Sequence, residues 1–205
     1  MSLPEEDLAL LMILAGPTGT GKSTLCGRMT EKYSCIQRVI TSTTRSPREG
    51  ETDCVDYFFF DEDTFSKKLD EGAFYESAEV HNYRYGTLKS EIQEKLDQNI
   101  DLVMNIDVQG VAAFNREAKE DPLLRQRLVT VFLMPPSFEE IEKRLLNRRE
   151  ESKEAIERRL ESAQKEMPLW VDYDFCLVSG TREEDFAKIE NIWFAEKLRV
   201  SRLNA

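Results

Sequence analysis

Histidine is nearly missing from this sequence of 205 residues, which contains only His81. Imidazole-based metal centres and Ser/His/Asp triads depend on histidine, so the sequence argues against both kinds of site. Cysteine is scarce as well. Cys26, Cys35, Cys54 and Cys176 show neither the spacing of zinc ligands nor that of a redox pair, and we predict four free thiols.

Basic residues are outnumbered by acidic ones, with 28 Lys and Arg against 39 Asp and Glu and a net charge of -11. A surface with this balance does not attract DNA, RNA or an acidic membrane in general. We therefore expect no nucleic-acid partner. An anionic ligand would need a local basic pocket.

Hydrophobic runs long enough to cross a membrane are missing too. The apolar run of residues 8–15 is far shorter than the ~20 residues that a membrane helix needs. The first seven residues are acidic, whereas a secretory signal begins with basic residues. We expect a cytoplasmic protein that binds no membrane, and no obligate protein partner is evident.

The sequence does contain an alternation of buried-strand and helix patterns, which predicts an α/β fold with a parallel sheet. Thr87 is predicted to cap one helix, and Ser137 and Thr181 each begin a capping box. Strands are predicted at residues 8–15, 38–42, 101–106, 128–134 and 173–178, and helices at 22–33, 63–71, 87–98, 137–147, 152–167 and from 181 onward. Residues 43–86 differ from the rest in composition, because they are rich in arginine at first and then strongly acidic, with strand-prone segments at 57–60 and 74–80. We interpret this stretch as an inserted lobe.

The strongest signal is a phosphate-binding loop, GPTGTGKS at residues 16–23, between a predicted strand and a predicted helix. A chance glycine-rich turn is the alternative, and the strand-helix context disfavours it. Glycines let successive N–H groups surround phosphate oxygens, Lys22 can reach the β and γ oxygens, and the Ser23 hydroxyl can ligate Mg²⁺. The predicted ATP-binding residues are Gly16, Pro17, Thr18, Gly19, Thr20, Gly21, Lys22, Ser23 and Thr24.

Two arginines, Arg45 and Arg48, follow a predicted strand and could grip one phosphate from two sides. Residues 16–48 contain six Lys or Arg and one acid, Glu31, so this segment is locally basic. It supplies the pocket that the global charge conceals.

At this point the sequence resembles the guanylate kinases, the ATP:GMP phosphotransferases. The matching segments are GPTGTGKST, ITSTTRSPREGE, DYFF, YRYGT, IDVQG and PPSFEEIEKRLLNRR…ERRLESAQKE, in order from about residue 11 to 197. The resemblance implies a three-layer P-loop core with helices on both faces of a parallel sheet. It also implies a mixed α/β GMP-binding lobe and a short helical lid. The corresponding ranges are about 8–40, 99–136 and 168–205 for the core, 41–98 for the lobe and 137–167 for the lid.

The resemblance also implies residue roles. The GMP phosphate would be held by Arg45, Arg48, Tyr57 and Tyr85. Guanine would be read by Thr41, Glu76, Thr87 and Asp107, with Gly86 beside them. Arg144, Arg148 and Arg159 of the lid would close over the ATP phosphates, and together with Lys22 and Arg45 they form the implied catalytic set.

The chemistry of guanine agrees with these roles. Guanine presents two adjacent donors, N1–H and the 2-amino group, so one carboxylate can accept from both, whereas adenine has an acceptor at N1. Taken alone, Glu76 also fits a solvated acid, because residues 49–79 hold eleven Asp or Glu and two Lys. Tyr57 and Tyr85 taken alone also fit ordinary packing.

The implied reaction converts MgATP and GMP, and dGMP as well, to ADP and the nucleoside diphosphate, as a step of purine nucleotide metabolism. A phosphate oxygen needs no general base as a nucleophile, so alignment and charge neutralisation carry the catalysis. Three positions depart from the family pattern. Asn105 stands where many members have an acid, Arg149 replaces a usual glycine, and Ser179 lies where an Asn-Asp pair is common.

Two alternatives remain open from the sequence. The first is an inactive guanylate-kinase-like module that binds phosphorylated peptides, although the intact phosphate loop disfavours it. The second is a related kinase that acts on another phosphorylated sugar or nucleotide.

Overall fold

The structure, a computed structural model, describes residues 8–80, 82–146 and 153–203. In chain order the elements are β1 (Leu11–Ala15), α1 (Lys22–Lys32), β2 (Ile36–Arg38), β3 (Ser42–Thr43), β4 (Phe58–Phe59), α2 (Glu62–Asp70), β5 (Phe74–Val80), β6 (Tyr83–Leu88), α3 (Lys89–Asp97), β7 (Asp101–Asn105), α4 (Val108–Glu120), α5 (Pro122–Arg127), β8 (Leu128–Met134), α6 (Phe138–Leu146), α7 (Lys153–Glu166), a 3₁₀ helix (Met167–Asp172), β9 (Phe175–Val178), α8 (Arg182–Lys197) and α9 (Val200–Leu203).

The core is a parallel sheet with the strand order β2-β7-β1-β8-β9. Its central strand, β1, is buried along its whole length, as expected of a parallel strand covered on both faces. Met12 packs in a cluster with Leu25 of α1 and Trp193 of α8. Its neighbour Ile13 packs on the opposite face with Phe114 of α4. The sheet therefore lies between two helical layers, which confirms the predicted α/β class.

A second, smaller sheet has the order β4-β3-β6-β5 and mixes parallel and antiparallel pairs. It has a core of its own, in which Phe65 of α2, Phe74 and Leu88 are buried and Phe58 and Phe60 pack against them. Phe65 and Phe74 stack with ring centroids 4.6 Å apart. This aromatic cluster lets the lobe fold around its own hydrophobic contacts.

Helices α6 and α7 form a third packing unit, in which Ile141, Ile156 and Ala163 are buried together. The Ser137 hydroxyl accepts a hydrogen bond from the Glu140 amide at 3.2 Å, as a cap at the predicted start of α6 should. Residues 147–152, between the two helices, lie outside the described residues.

The predicted strand at 38–42 is wrong, because two short strands of different sheets share this segment. Strand β2 ends at Arg38 and β3 begins at Ser42. Between them, the Ile40 amide donates to the Glu91 carboxylate of α3 at 2.9 Å instead of to a neighbouring strand. At this hydrogen bond the chain passes from the core sheet to the smaller sheet.

The predicted helix cap at Thr87 is also wrong. Thr87 lies in β6 opposite Glu76 of β5, and its hydroxyl donates to the Glu76 carboxylate. Helix α3 begins two residues later, with Leu88 at the cap position and no side-chain cap. The Thr87 hydroxyl, which the sequence pattern assigned to the helix cap, is therefore bonded to Glu76 of the neighbouring strand instead.

Two other local predictions are confirmed. The four cysteines are free, and Thr181 forms a reciprocal capping box with Glu184 at the start of α8. Over residues 8–80, 82–146 and 153–203, no helix has the length and apolar character needed to cross a membrane. His81 lies outside the described residues.

Candidate active site

Part of the predicted site lies at the carboxyl edge of the core sheet, where ligands of open α/β sheets bind, and the rest belongs to the smaller sheet. Strand β1 leads into the phosphate loop at Gly16, and β7 leads to Asp107 at the start of α4. Strand β9 leads to Ser179 on the other side of the loop. The sheet thus brings three separate loops to one edge.

The phosphate loop has the left-handed backbone that its glycines permit, with φ of 123° at Gly16, 89° at Gly19 and 93° at Gly21. The Lys22 ammonium folds back over the loop and donates to the carbonyl oxygens of Gly16, at 2.5 Å, and Pro17, at 2.9 Å. The first turn of α1 contains no acid, and its N-terminus has no side-chain cap. This positive helix end is therefore open to an anion.

A cavity of about 490 Å³ adjoins the loop and is lined by Gly19, Thr24, Ser179, Gly180, Arg182 and Asp185, among others. Asp185 is 4% exposed, and its carboxylate accepts from the Ser179 hydroxyl at 2.8 Å and the Gly180 amide at 2.7 Å. Sequence reasoning missed Asp185. The Ser179 departure is thus matched by a carboxylate six residues later, which holds the β9–α8 loop in place.

Arg45 is fixed by a carboxylate that sequence reasoning also missed. Glu51 accepts from both terminal nitrogens of Arg45 at 2.9 Å, and its Oε2 also accepts from the Arg48 amide at 2.7 Å. The Arg45 guanidinium lies 5.5 Å from the ring centroid of Tyr57, and the Tyr57 and Tyr85 centroids are 6.2 Å apart. The structure therefore brings together Arg45, Tyr57 and Tyr85, with the Arg48 backbone beside them.

The electrostatics of this cluster keep it charged. The hydrogen bonds to Glu51 raise the pKa of Arg45, and the Tyr85 hydroxyl raises it further, while burial opposes them. Arg45 and the Arg48 amide lower the pKa of the Glu51 carboxyl. Glu51 is the last residue of the segment ITSTTRSPREGE, so the sequence motif already contained the residue that could have been predicted as the partner of Arg45.

A second group of predicted site residues comprises Glu76 and Thr87 of the lobe and Asp107 at the start of α4. The Thr87 hydroxyl donates to Glu76 Oε1 at 2.6 Å. Burial raises the pKa of Glu76, the Thr87 hydrogen bond lowers it, and the charge of Asp107 raises it. Asp107 caps α4, where its Oδ1 accepts from the Gly110 amide at 2.8 Å. Glu76 and Thr87 are thus in direct contact, and the charge of Asp107 acts on the same carboxyl group.

Thr41 and Gly86 have different surroundings. Thr41 lines a cavity of about 320 Å³ together with Tyr57, Arg38 and Asn105. Gly86 is packed tightly, since a Cβ there would lie 2.9 Å from Phe74 Cδ1. The space around Gly86 thus requires a residue without a side chain.

The implied lid arginines are only partly described. Arg159 lies in α7, and Arg144 lies in α6, although the Arg144 side chain is not described; Arg148 and Arg149 lie outside the described residues. Glu166, the last residue of α7, was missed by sequence reasoning. Burial raises its pKa, while the charge of Lys22 lowers it and that of Asp107 raises it. The carboxyl group at the end of α7 therefore lies within electrostatic range of Lys22 in the phosphate loop.

Comparison with known proteins gives a consistent result. The family model described as guanylate kinase matches residues 9–196. A guanylate kinase of Clostridium perfringens (strain 13 / Type A) is 36% identical over 199 residues, covering 97% of this chain and 89% of the relative. One of Syntrophotalea carbinolica is 37% identical over 196 residues, covering 96% and 90%. The crystal structure of guanylate kinase from Anaplasma phagocytophilum superimposes with a TM-score of 0.73 at 28% identity, covering 96% of this chain and 90% of that one.

Proposed function

This chain belongs to the guanylate kinase family, and from that premise we propose that it transfers the γ-phosphoryl group of ATP to GMP, giving ADP and GDP. The observation that carries the acceptor assignment is that the Glu76–Thr87 pair, which senses the charge of Asp107, belongs to the same lobe as Arg45 and its tyrosines. A carboxylate site and a cationic site on one lobe suit a ligand with a donor-rich base at one end and a phosphate at the other.

Guanine supplies the donors that these carboxylates can accept. The Glu76 carboxylate would accept from N1–H and the 2-amino group, while Asp107 offers a second acceptor. The Thr87 hydroxyl now bonded to Glu76, together with Thr41, would hydrogen-bond the remaining edge of the base. Adenine would turn its N1 lone pair toward a carboxylate, so AMP is rejected. Gly86 lets β6 pack closely behind these residues.

The phosphate of GMP would lie against the Arg45 cluster. Glu51 holds the Arg45 guanidinium in a fixed plane, so its donors are oriented before the ligand binds. Arg48, Tyr57 and Tyr85 would supply further donors. The acceptor phosphate then faces the phosphate loop with its oxygen already nucleophilic, and no side chain needs to remove a proton.

The donor triphosphate would lie on the phosphate loop, residues 16–24. Lys22 would exchange its carbonyl acceptors for phosphate oxygens, and the open end of α1 would stabilise their charge. Arg144, Arg148 and Arg159 would add positive charge when the lid closes, which also excludes water from the transfer. The adenosine would extend toward the cavity at Ser179 and Asp185.

Magnesium is implied by this chemistry, and the residues present fit it. Ser23 offers a hydroxyl in the exposed first turn of α1. No group of three His, Cys, Asp or Glu in residues 8–80, 82–146 and 153–203 could hold a metal alone. The ion would therefore bind through ATP oxygens together with Ser23. When bound, it would neutralise charge on the transferring phosphoryl group.

The three packing units suggest three moving parts. We assign residues 8–40, 99–136 and 168–205 to the core, 41–98 to the GMP-binding lobe and 137–167 to the lid. No residue assigned above reads the ribose 2′-hydroxyl, so dGMP should serve as well as GMP. We assign the reaction to purine nucleotide metabolism in the cytoplasm.

An acceptor panel tests this proposal. ADP release would be measured with GMP, dGMP, AMP, CMP and UMP, in the wild type and in Glu76→Gln and Lys22→Ala. We expect turnover with GMP and dGMP, a strongly raised KM for GMP in Glu76→Gln, and loss of all turnover in Lys22→Ala. Glu79→Gln, at an exposed position of the same strand, is the matched control.

Two results would contradict the assignment. Equal use of AMP, CMP and UMP would point to another acceptor. No turnover at all, with Lys22→Ala binding phosphorylated peptides as well as the wild type does, would point to a binding module.

A further inference from the structure

A contact between Arg38 and Asn105 lies at the carboxyl edge of the core sheet and has no part in the roles proposed above. Arg38 ends β2 and Asn105 ends the neighbouring strand β7. Arg38 Nη2 donates to Asn105 Oδ1 at 3.0 Å. Both residues line the cavity that Thr41 and Tyr57 also line.

This contact fixes which way the Asn105 carboxamide faces. A guanidinium has only donors, so the amide oxygen must be the atom that faces Arg38. The amide nitrogen, Nδ2, is then directed away from Arg38. Position 105 therefore offers a hydrogen-bond donor on its other side, where a carboxylate would offer an acceptor.

The sheet register places this donor near the phosphate loop. Asn105 pairs with Leu14 of β1, two residues before Gly16, and Leu14 packs in the cluster on the α1 face of the sheet. Partners in a parallel ladder project to the same face, so the Asn105 side chain lies on the α1 face as well. It is therefore at the sheet edge in front of the first turn of α1.

The pKa of Cys26 in α1 also indicates that this pair lies near the phosphate loop. Burial raises the pKa of the Cys26 thiol to about 12, and the charges of Arg38 and Lys22 both act to lower it. Cys26 lies one turn after Lys22 in α1. Arg38 is thus near enough to the loop helix to act on the same sulfur atom as the loop lysine.

We propose that Arg38 is a positioning residue that holds the Asn105 carboxamide so that Nδ2 donates to a phosphate oxygen of the triphosphate on the phosphate loop. The inference rests on the proposed binding of ATP there. Arg38 acts through Asn105, so removal of either side chain should cost the same hydrogen bond. Because the donor serves the phosphate rather than a metal ion, the effect should persist without Mg²⁺.

The test is ATP binding by isothermal titration calorimetry, with EDTA and with Mg²⁺, on the full chain. Arg38→Met and Asn105→Leu should each weaken binding about tenfold in EDTA, the loss of one charge-assisted hydrogen bond. The double variant should bind no more weakly than Asn105→Leu alone. Arg38→Lys, which keeps a donor, should restore most of the affinity. Arg125→Met removes an equal charge from α5 and should change nothing.

Unchanged affinity in Arg38→Met or in Asn105→Leu, with normal melting temperatures and normal wild-type binding, would overturn this inference alone. Additive losses in the double variant, or losses seen only with Mg²⁺, would also overturn it. Wild-type protein that binds no ATP would overturn the proposed function as well, which separates the two failures.

Discussion

Alanine substitutions at two glycines of the phosphate loop should have clearly different effects on stability. Gly16 and Gly21 both have positive φ, 123° and 93°, so alanine is strained at either position. Their surroundings differ. A Cβ on Gly16 would lie 2.4 Å from the Leu133 carbonyl oxygen of β8, whereas a Cβ on Gly21 would meet nothing within 4 Å. The two substitutions therefore share the backbone strain and differ in one clash.

The magnitudes follow from this geometry. Positive φ costs an L-residue about 1–2 kcal/mol, and this applies to both variants. Ordinary contacts begin at 3.4 Å, so in Gly16→Ala the loop or β8 must move by about 1 Å. Such overpacking costs about 1–3 kcal/mol more. At about 2–4 °C per kcal/mol for a chain of this size, Gly16→Ala should melt some 2–12 °C below Gly21→Ala.

The assay is thermal unfolding of both variants by circular dichroism, with ATP affinity measured in parallel. Gly16→Ala should also lose more ATP affinity, because its carbonyl oxygen is one of the two acceptors that hold Lys22 over the loop. Equal melting temperatures, or a milder effect at Gly16, would refute the close packing of the loop against β8.

Three further predictions test the lobe. Glu51→Gln should raise the KM for GMP with little change in the KM for ATP, because the Arg45 guanidinium loses the carboxylate that orients it. Glu62→Gln, which removes only the ion pair of α2 with Arg84, is the control in the same steady-state assay. Because the pKa of Glu76 is raised, its carboxyl group should become protonated at a pH above the usual ~4.3. The KM for GMP should therefore rise as the pH falls. This acid-side rise of the KM should be absent in Glu76→Gln. The same shift means that the folded state gains stability as the pH falls through that range, visible in urea titrations. Phe65→Ala should cost about 3–5 kcal/mol in chemical denaturation, since Phe65 is fully buried, and a loss below 1 kcal/mol would contradict the separate lobe core.

Local patterns predicted the parts of the fold that depend on neighbouring residues. The strand before Gly16 and the capping box at Thr181 are both determined within a few positions, and the structure has them. The predicted strand at 38–42 failed for the opposite reason. The acceptor that ends it, Glu91, lies some fifty residues away, and no local pattern contains it.

The same distinction applies to the candidate site. The motifs identified the loop glycines and Arg45, because each motif is a continuous segment. Residues outside these segments were not predictable in this way. Asp185, Glu166 and the Arg38–Asn105 contact reach the site only through the tertiary fold, and each is an ordinary charged or polar residue in its own segment.

The central claim is direct phosphoryl transfer from ATP to GMP, and γ-labelled ATP tests it most directly. The protein would be incubated with γ-³²P-ATP, Mg²⁺ and GMP, and the nucleotides and inorganic phosphate separated. The account predicts that the label appears in GDP, depends on GMP, and is lost in Lys22→Ala. Label found only in inorganic phosphate, or in no product, would contradict it.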